Sequence, residues 1–127
     1  MRTMEILYKA RIGRNDATEG LRAAREALAV AKRQNISNGI LNELEKARGA
    51  ANRAATGAAQ ARMAVKEAVQ QHSNPDEVRD ARLAAEEARL AINEVGAVVD
   101  QIDTMYRVMK RQEETRRSKP PRAPRPT

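Results

Sequence analysis

Apolar residues recur along the chain at alternating steps of four and three, the spacing of one face of an α-helix. The longest run is Ile40, Leu44, Ala47, Ala51, Ala54, Ala58, Ala61, Val65 and Ala68. Another starts at Val78 and continues through Ala81, Ala85, Ala88, Ile92, Val95, Val99, Ile102, Tyr106 and Met109. An earlier one reads Ala17, Leu21, Ala24, Leu28 and Ala31. These patterns predict three helices over about 16–34, 38–71 and 75–116.

Capping chemistry agrees with these limits. Asn74 is a good N-cap, Pro75 suits a first helical position, and Asp76 and Glu77 complement the positive end of the helix dipole. Ser37 or Asn38 caps the second helix, with Ile36 placed to staple against Leu41. Asp16 and Glu19 have the spacing of a capping box for the first. Upstream, Ile6, Ala10 and Gly13 keep the phase, so the basic segment 1–15 is either an extension of that helix or a short helix broken at Gly13–Asp16.

Beside each seam lies a third small or apolar position: Gly20 and Ala27, then Ala50, Gly57 and Ala64, then Ala84, Ala91, Val98 and Met105. That widens a two-position stripe into a face able to meet two neighbours. Short connections set successive helices antiparallel. The expected architecture is all-α: an elongated up-down-up three-helix bundle, or an antiparallel coiled-coil hairpin with a third helix laid along it. Folding about residue 73 sets Ala54 near Ile92 and Leu44 near Ile102, while folding about residue 36 sets Leu28 near Leu44 and Leu21 near Ala51. In this register helix two presents small residues to larger ones.

Composition makes the core thin. The chain has 127 residues, one ordinary domain, and 41% of them are hydrophobic, but there is no Phe or Trp and only Tyr8 and Tyr106. Most of the apolar share is alanine, whose buried methyl yields about 0.8 kcal/mol where a leucine yields about 2–3. Stability therefore rests on close backbone approach, helix propensity or association. Residues 47–65, ARGAANRAATGAAQARMAV, carry this furthest, as a slim middle helix shaped for close approach. Cysteine is absent, which excludes disulfides and thiolate metal sites. No uncharged run nears the roughly 20 apolar residues of a membrane span, and the start lacks a continuous apolar signal core. A soluble, unsecreted protein is expected, cytoplasmic or within an assembled particle.

The net charge of +7 is unevenly spread. Residues 1–15 hold Arg2, Lys9, Arg11 and Arg14 against Glu5; residues 73–115 hold six basic and ten acidic side chains. Residues 116–127 hold Arg116, Arg117, Lys119, Arg122 and Arg125 with no acid. From 117 onward the Pro/Arg-rich composition forbids helix and favours an extended or disordered basic tail outside the bundle.

Catalytic candidates are poor. His72, the single histidine, reads as a solvated turn residue beside Ser73 and Asn74, and the pairs Glu86/Glu87 and Glu113/Glu114 read as outward, solvated charge. No cofactor, metal ligand set or small-molecule substrate is implied. The tail arginines, with the basic residues of segment 1–15, are the candidate contacts for phosphate or an acidic partner. The tail also reads as a solubilising terminus, as a weak PxxP at Pro121–Pro124 for an aromatic groove, or as an arm docking on the acidic third helix of another copy. Those acids also have Arg22, Arg25, Arg48, Arg53 and Arg62 as partners within the bundle. Leu83 and Leu90, continued by Ala97, form an outward apolar row opposite the seam of helix three, a candidate protein contact.

Together these features point to a non-enzymatic helical assembly protein, a subunit of a virion or other macromolecular complex that packs through its helix faces, with a homo-oligomer or another protein as partner. A sequence-independent nucleic-acid-binding accessory factor, or a regulator binding one protein partner, are the alternatives.

Overall fold

Two tight connections join three long helices: α1 (Arg2–Ala31), α2 (Ser37–Gln70) and α3 (Pro75–Ser118). The structure is a computed structural model that describes residues 2–118, with side chains described for 5–117. All three helices pack against one another, giving the all-α three-helix bundle expected from the periodicity. α2 runs antiparallel to α1 and α3, which lie parallel. None of these helices is long and apolar enough to cross a membrane.

α1 is continuous from Arg2, with no break at Gly13–Asp16. Asp16 and Glu19 are therefore mid-helix residues and not a capping box: Asp16 faces Arg53 of α2 at 3.6 Å, and Glu19 faces Arg22 at 3.7 Å. Gly13 explains why the helix tolerates residues 13–16. A methyl there would lie 2.3 Å from the Gly57 carbonyl oxygen and 2.8 Å from the Ala61 nitrogen. The relation is reciprocal, since a methyl on Gly57 would lie 2.4 Å from the Gly13 carbonyl oxygen. One heptad along, a methyl on Gly20 would lie 2.6 Å from the Ala50 carbonyl oxygen. The backbones of α1 and α2 thus meet with no side chain between them at these positions.

That approach revises the expected seam in part: Ala17, Ala24, Ala31, Ile40, Leu44, Ala47, Ala54, Ala61, Ala68, Ala81, Ala88, Val95 and Ile102 are buried as expected. Of the line that the sequence marks as a third position, Gly20, Ala27, Ala50, Gly57, Ala64, Ala84 and Ala91 are also buried, and Val98 and Met105 are partly so. Leu21, Leu28, Ala51, Ala58, Ala85 and Ile92, taken as seam residues, are only partly buried and flank the core. When two helices come this close, only hydrogen and methyl fit between the axes, so larger side chains splay to the sides. Contact between α1 and α2 is therefore small against small, not small against large. Folding about residue 36 is retained: Gly13 meets Gly57 and Ala61, and Gly20 meets Ala50 and Ala54.

Side-chain size is graded along the bundle. Ile40, Leu44, Val95 and Ile102, the largest fully buried side chains, fill the half nearer the α1–α2 connection. A second cluster near the α2–α3 connection contains Ala10, Ala64, Ala68, Ala81 and Ala84, with Ile6 as its one large buried member.

The connections close with backbone geometry. At the end of α2, the Ser73 N–H donates to the Ala68 carbonyl and the His72 N–H to the Val69 carbonyl, a Schellman pattern in which His72 takes the left-handed position with φ 51°. Asn74 caps α3 as anticipated, its Oδ1 accepting the Asp76 N–H at 2.9 Å. Ser37 and Asn38 do not cap α2: its N-cap is Ile36, which has no side chain able to accept a hydrogen bond and is itself exposed.

Two predictions follow from this geometry. Gly13→Ala and Gly57→Ala lower stability by about 1–3 kcal/mol despite alanine's better helix propensity. Gly49→Ala and Gly96→Ala, with open space around them, raise it by about 0.5–1 kcal/mol. Urea melts followed by circular dichroism read both signs. The other concerns the left-handed turn: His72→Gly raises stability by about 0.5–1 kcal/mol in the same assay.

Candidate functional site

The basic residues proposed as contacts do not form one surface. α1 begins beside the α2–α3 connection, where Lys9 stands 3.9 Å from Glu67 near the end of α2. Arg116 and Arg117, in the last turn of α3, lie at the opposite pole beside Ile36, Ser37 and Asn38. Arg11 is exposed with no ion pair among the described residues, whereas Arg14 is half-buried and bonded to Asn15 at 3.1 Å, with Glu87 of α3 at 3.6 Å. The side chain of Arg2, and Lys119, Arg122 and Arg125 in the tail, lie outside the described residues. So do Pro121–Pro124.

At the α3 pole the structure overturns one expectation. Glu113 is not solvated outward charge: its carboxylate accepts the backbone N–H of Ser37 at 2.9 Å and also the Ser37 hydroxyl. A residue late in α3 thereby satisfies the first N–H of α2 and places negative charge at the positive helix end. The Ser37 hydroxyl, then the Ser37 N–H, hold the Glu113 carboxyl below the usual glutamate range; Arg117 and Arg116 act in the same direction, against partial desolvation. Glu113 thereby anchors the late turns of α3 to the start of α2. Both residues were in phase with the apolar seams: Ser37 precedes Ile40 by three, and Glu113 follows Tyr106 by seven. Periodicity therefore pointed inward where polarity pointed outward.

Glu43 was missed for the same reason. It is 6% exposed, the heptad predecessor of Ala50, Gly57 and Ala64, and its carboxylate accepts a hydrogen bond from Lys46 at 3.1 Å. Among the described residues no group of three acids or histidines is arranged to hold a metal ion. His72 is exposed. Tyr106, half-buried, has Lys110 Nζ 5.6 Å from its ring centre, and Tyr8 is exposed.

Much of the α3 acid is paired internally. Glu87 faces Arg14, Glu94 binds Arg25, Glu86 accepts Arg89 Nε at 2.9 Å, and Asp103 faces Arg107 at 3.1 Å. Of the bundle arginines matched to these acids by sequence, only Arg25 reaches α3; Arg53 turns to Asp16 of α1, and Arg22 to Glu19 and Glu26 of its own helix. Arg48 and Arg62 make no ion pair among the described residues.

Two apolar surfaces remain. Leu83 and Leu90 are 57% and 50% exposed, and Ala97 is exposed one heptad on, so the row stands on the outside of α3. A groove of about 570 Å³ runs between α2 and α3. Ala58, Val65, Ala85 and Ile92 form its floor, and Arg62, Lys66, Arg82 and the Glu86–Arg89 pair its rim.

Comparison with protein families, curated proteins and solved structures finds no match for the chain.

The Glu113–Ser37 contact predicts a pH signature. Because the folded-state carboxyl is held low, its stabilisation is fully present above the ordinary glutamate range and is lost as pH falls through the depressed folded value. Glu113→Gln should lower the melting temperature at pH 7, and the gap to the parent should narrow and close as pH falls through and below the ordinary glutamate range. Parallel thermal melts across that range check it.

Proposed function

We propose that the chain is a non-enzymatic helical assembly protein, which acts by packing its outer faces against other polypeptides within a larger complex. The observation that carries this is the placement of Leu83 and Leu90, both half or more exposed on one face of α3. A core that admits glycine and alanine at its centre leaves larger apolar side chains on the outside, where a neighbour can bury them. Burial of one leucine side chain contributes about 2–3 kcal/mol, so a row used by both partners is a substantial contact. Residues at the two poles, Lys9 and Arg11 at one and Arg116 and Arg117 at the other, supply positive charge to an acidic partner or phosphate.

Binding nucleic acid as the main activity is a second reading, favoured by the exposed and unpaired Arg11 and the arginines at the end of α3. It requires affinity that falls steeply with salt.

Light scattering on the full chain separates the two. The assembly reading expects species larger than a monomer at concentrations of about 0.1–1 mM, since weak pairwise contacts saturate there. Leu83→Glu with Leu90→Glu should return it to a monomer with unchanged helicity. A monomer throughout that range, joined with tight salt-sensitive retention of DNA, would overturn the assembly reading in favour of the nucleic-acid one.

A further inference from the structure

We propose that the groove between α2 and α3 is a docking site for an acidic amphipathic helix of another protein. This rests on the assembly reading only in requiring a polypeptide partner; the Leu83–Leu90 row takes no part in it.

The floor, Ala58, Val65, Ala85 and Ile92, is apolar and half-buried, with Ala55 and Ala59 along the α2 wall. From Ala55 to Lys66 it extends about 16 Å along α2, the length over which a helix presents anchors at successive turns. Its small side chains leave room for a backbone to come close, as α1 does on another side of α2. A helix laid there completes a four-helix arrangement around Val65 and Ile92.

The rim decides the chemistry of the occupant. Arg62, Lys66 and Arg82 make no ion pair among the described residues, and Arg89 is held by Glu86. Three free cations around an apolar floor match an apolar stripe flanked by carboxylates, which gains hydrophobic burial from the floor and steering from the rim. A second copy of this chain fits poorly. A two-fold contact sets the same cations against themselves, and six acids of α3, Asp76, Asp80, Glu86, Glu87, Glu94 and Asp103, are already paired with the chain's own arginines, which leaves Asp100 and Glu114 as the exposed α3 acids with no ion pair among the described residues, too few and too far apart to match the rim. Nucleic acid makes no use of an apolar floor, and the groove holds no aromatic side chain on which a base stacks.

The test uses the full chain and a fluorescent synthetic helix of about 20 residues, long enough to form in contact with a partner, with an alanine–leucine stripe flanked by glutamates. Matched peptides carry glutamine or lysine in place of glutamate, and a short DNA duplex is measured alongside. Anisotropy should show saturable binding of the glutamate peptide, at least tenfold weaker for the glutamine peptide. Arg62→Glu with Arg82→Glu should reverse the preference toward the lysine peptide, a rescue that a misfolded variant cannot give. Ala59→Trp should block both peptides, and Leu83→Glu with Leu90→Glu should leave binding unchanged, so failure of the row and of the groove are read separately. The proposal is overturned by no binding, by equal binding of the three peptides, by no response to the Arg62 and Arg82 changes, or by DNA that binds more tightly and is lost in the same variants. Self-association abolished by Ala59→Trp would also overturn it, assigning the groove to a second copy.

Discussion

Everything in this bundle is arranged around the distance between two backbones. Where Gly13 faces Gly57 and Gly20 faces Ala50, a single added methyl would collide with a carbonyl oxygen. Close packing of main chain against main chain gives many weak dispersion contacts in place of a few large buried side chains. It also fixes register, because the small residues of α1 have to meet the small residues of α2 and a slip of one residue puts leucine or arginine between the axes.

Charge is organised to suit the same geometry. With so little apolar bulk inside, arginines and carboxylates cross between helices at the edges, as Arg25 does to Glu94 and Arg53 to Asp16. Surface pairs of this kind contribute little each; together with the pairs formed within α3 they engage Asp76, Asp80, Glu86, Glu87, Glu94 and Asp103, while Arg62, Lys66 and Arg82 on the groove side make no ion pair among the described residues. The molecule therefore presents a neutralised flank and a cationic one. Ser37 and Glu113 add a different device, in which the end of one helix is capped by a side chain of another, tying the late turns of α3 to the start of α2.

The three helices, their antiparallel order and the folding axis near residue 36 were legible in the sequence because heptad spacing survives even when its members are only methyls. What the pattern did not rank was which stripe lies deepest. Spacing put Leu21, Leu28 and Ile92 in the seam; they are only partly buried, while Gly20, Ala27 and Ala91 one position before them are buried. At Gly13–Asp16 the sequence left a break and a continuous helix both open, because glycine disfavours helices locally while Ile6, Ala10 and Gly13 keep the phase; close contact with Gly57 accounts for the glycine inside a continuous helix. Glu113 was read by charge, which places carboxylates outside, and Glu43 was not singled out, although both stood in phase with buried positions. Of the two apolar surfaces, the Leu83–Leu90 row was visible from its spacing. The groove was not, since it exists only once Val65 and Ile92 are known to flank the core.

The antiparallel path also sets a separation. Lys9 and Arg11 sit at one pole and Arg116 and Arg117 at the other, with the stretch of α2 from Ser37 to Glu67 between them, about 45 Å at 1.5 Å per residue. Three helices packed on one another, two of them in backbone contact, do not bend as one helix can. Whatever touches both poles at once is held at a set spacing, so the bundle is a ruler as much as a surface.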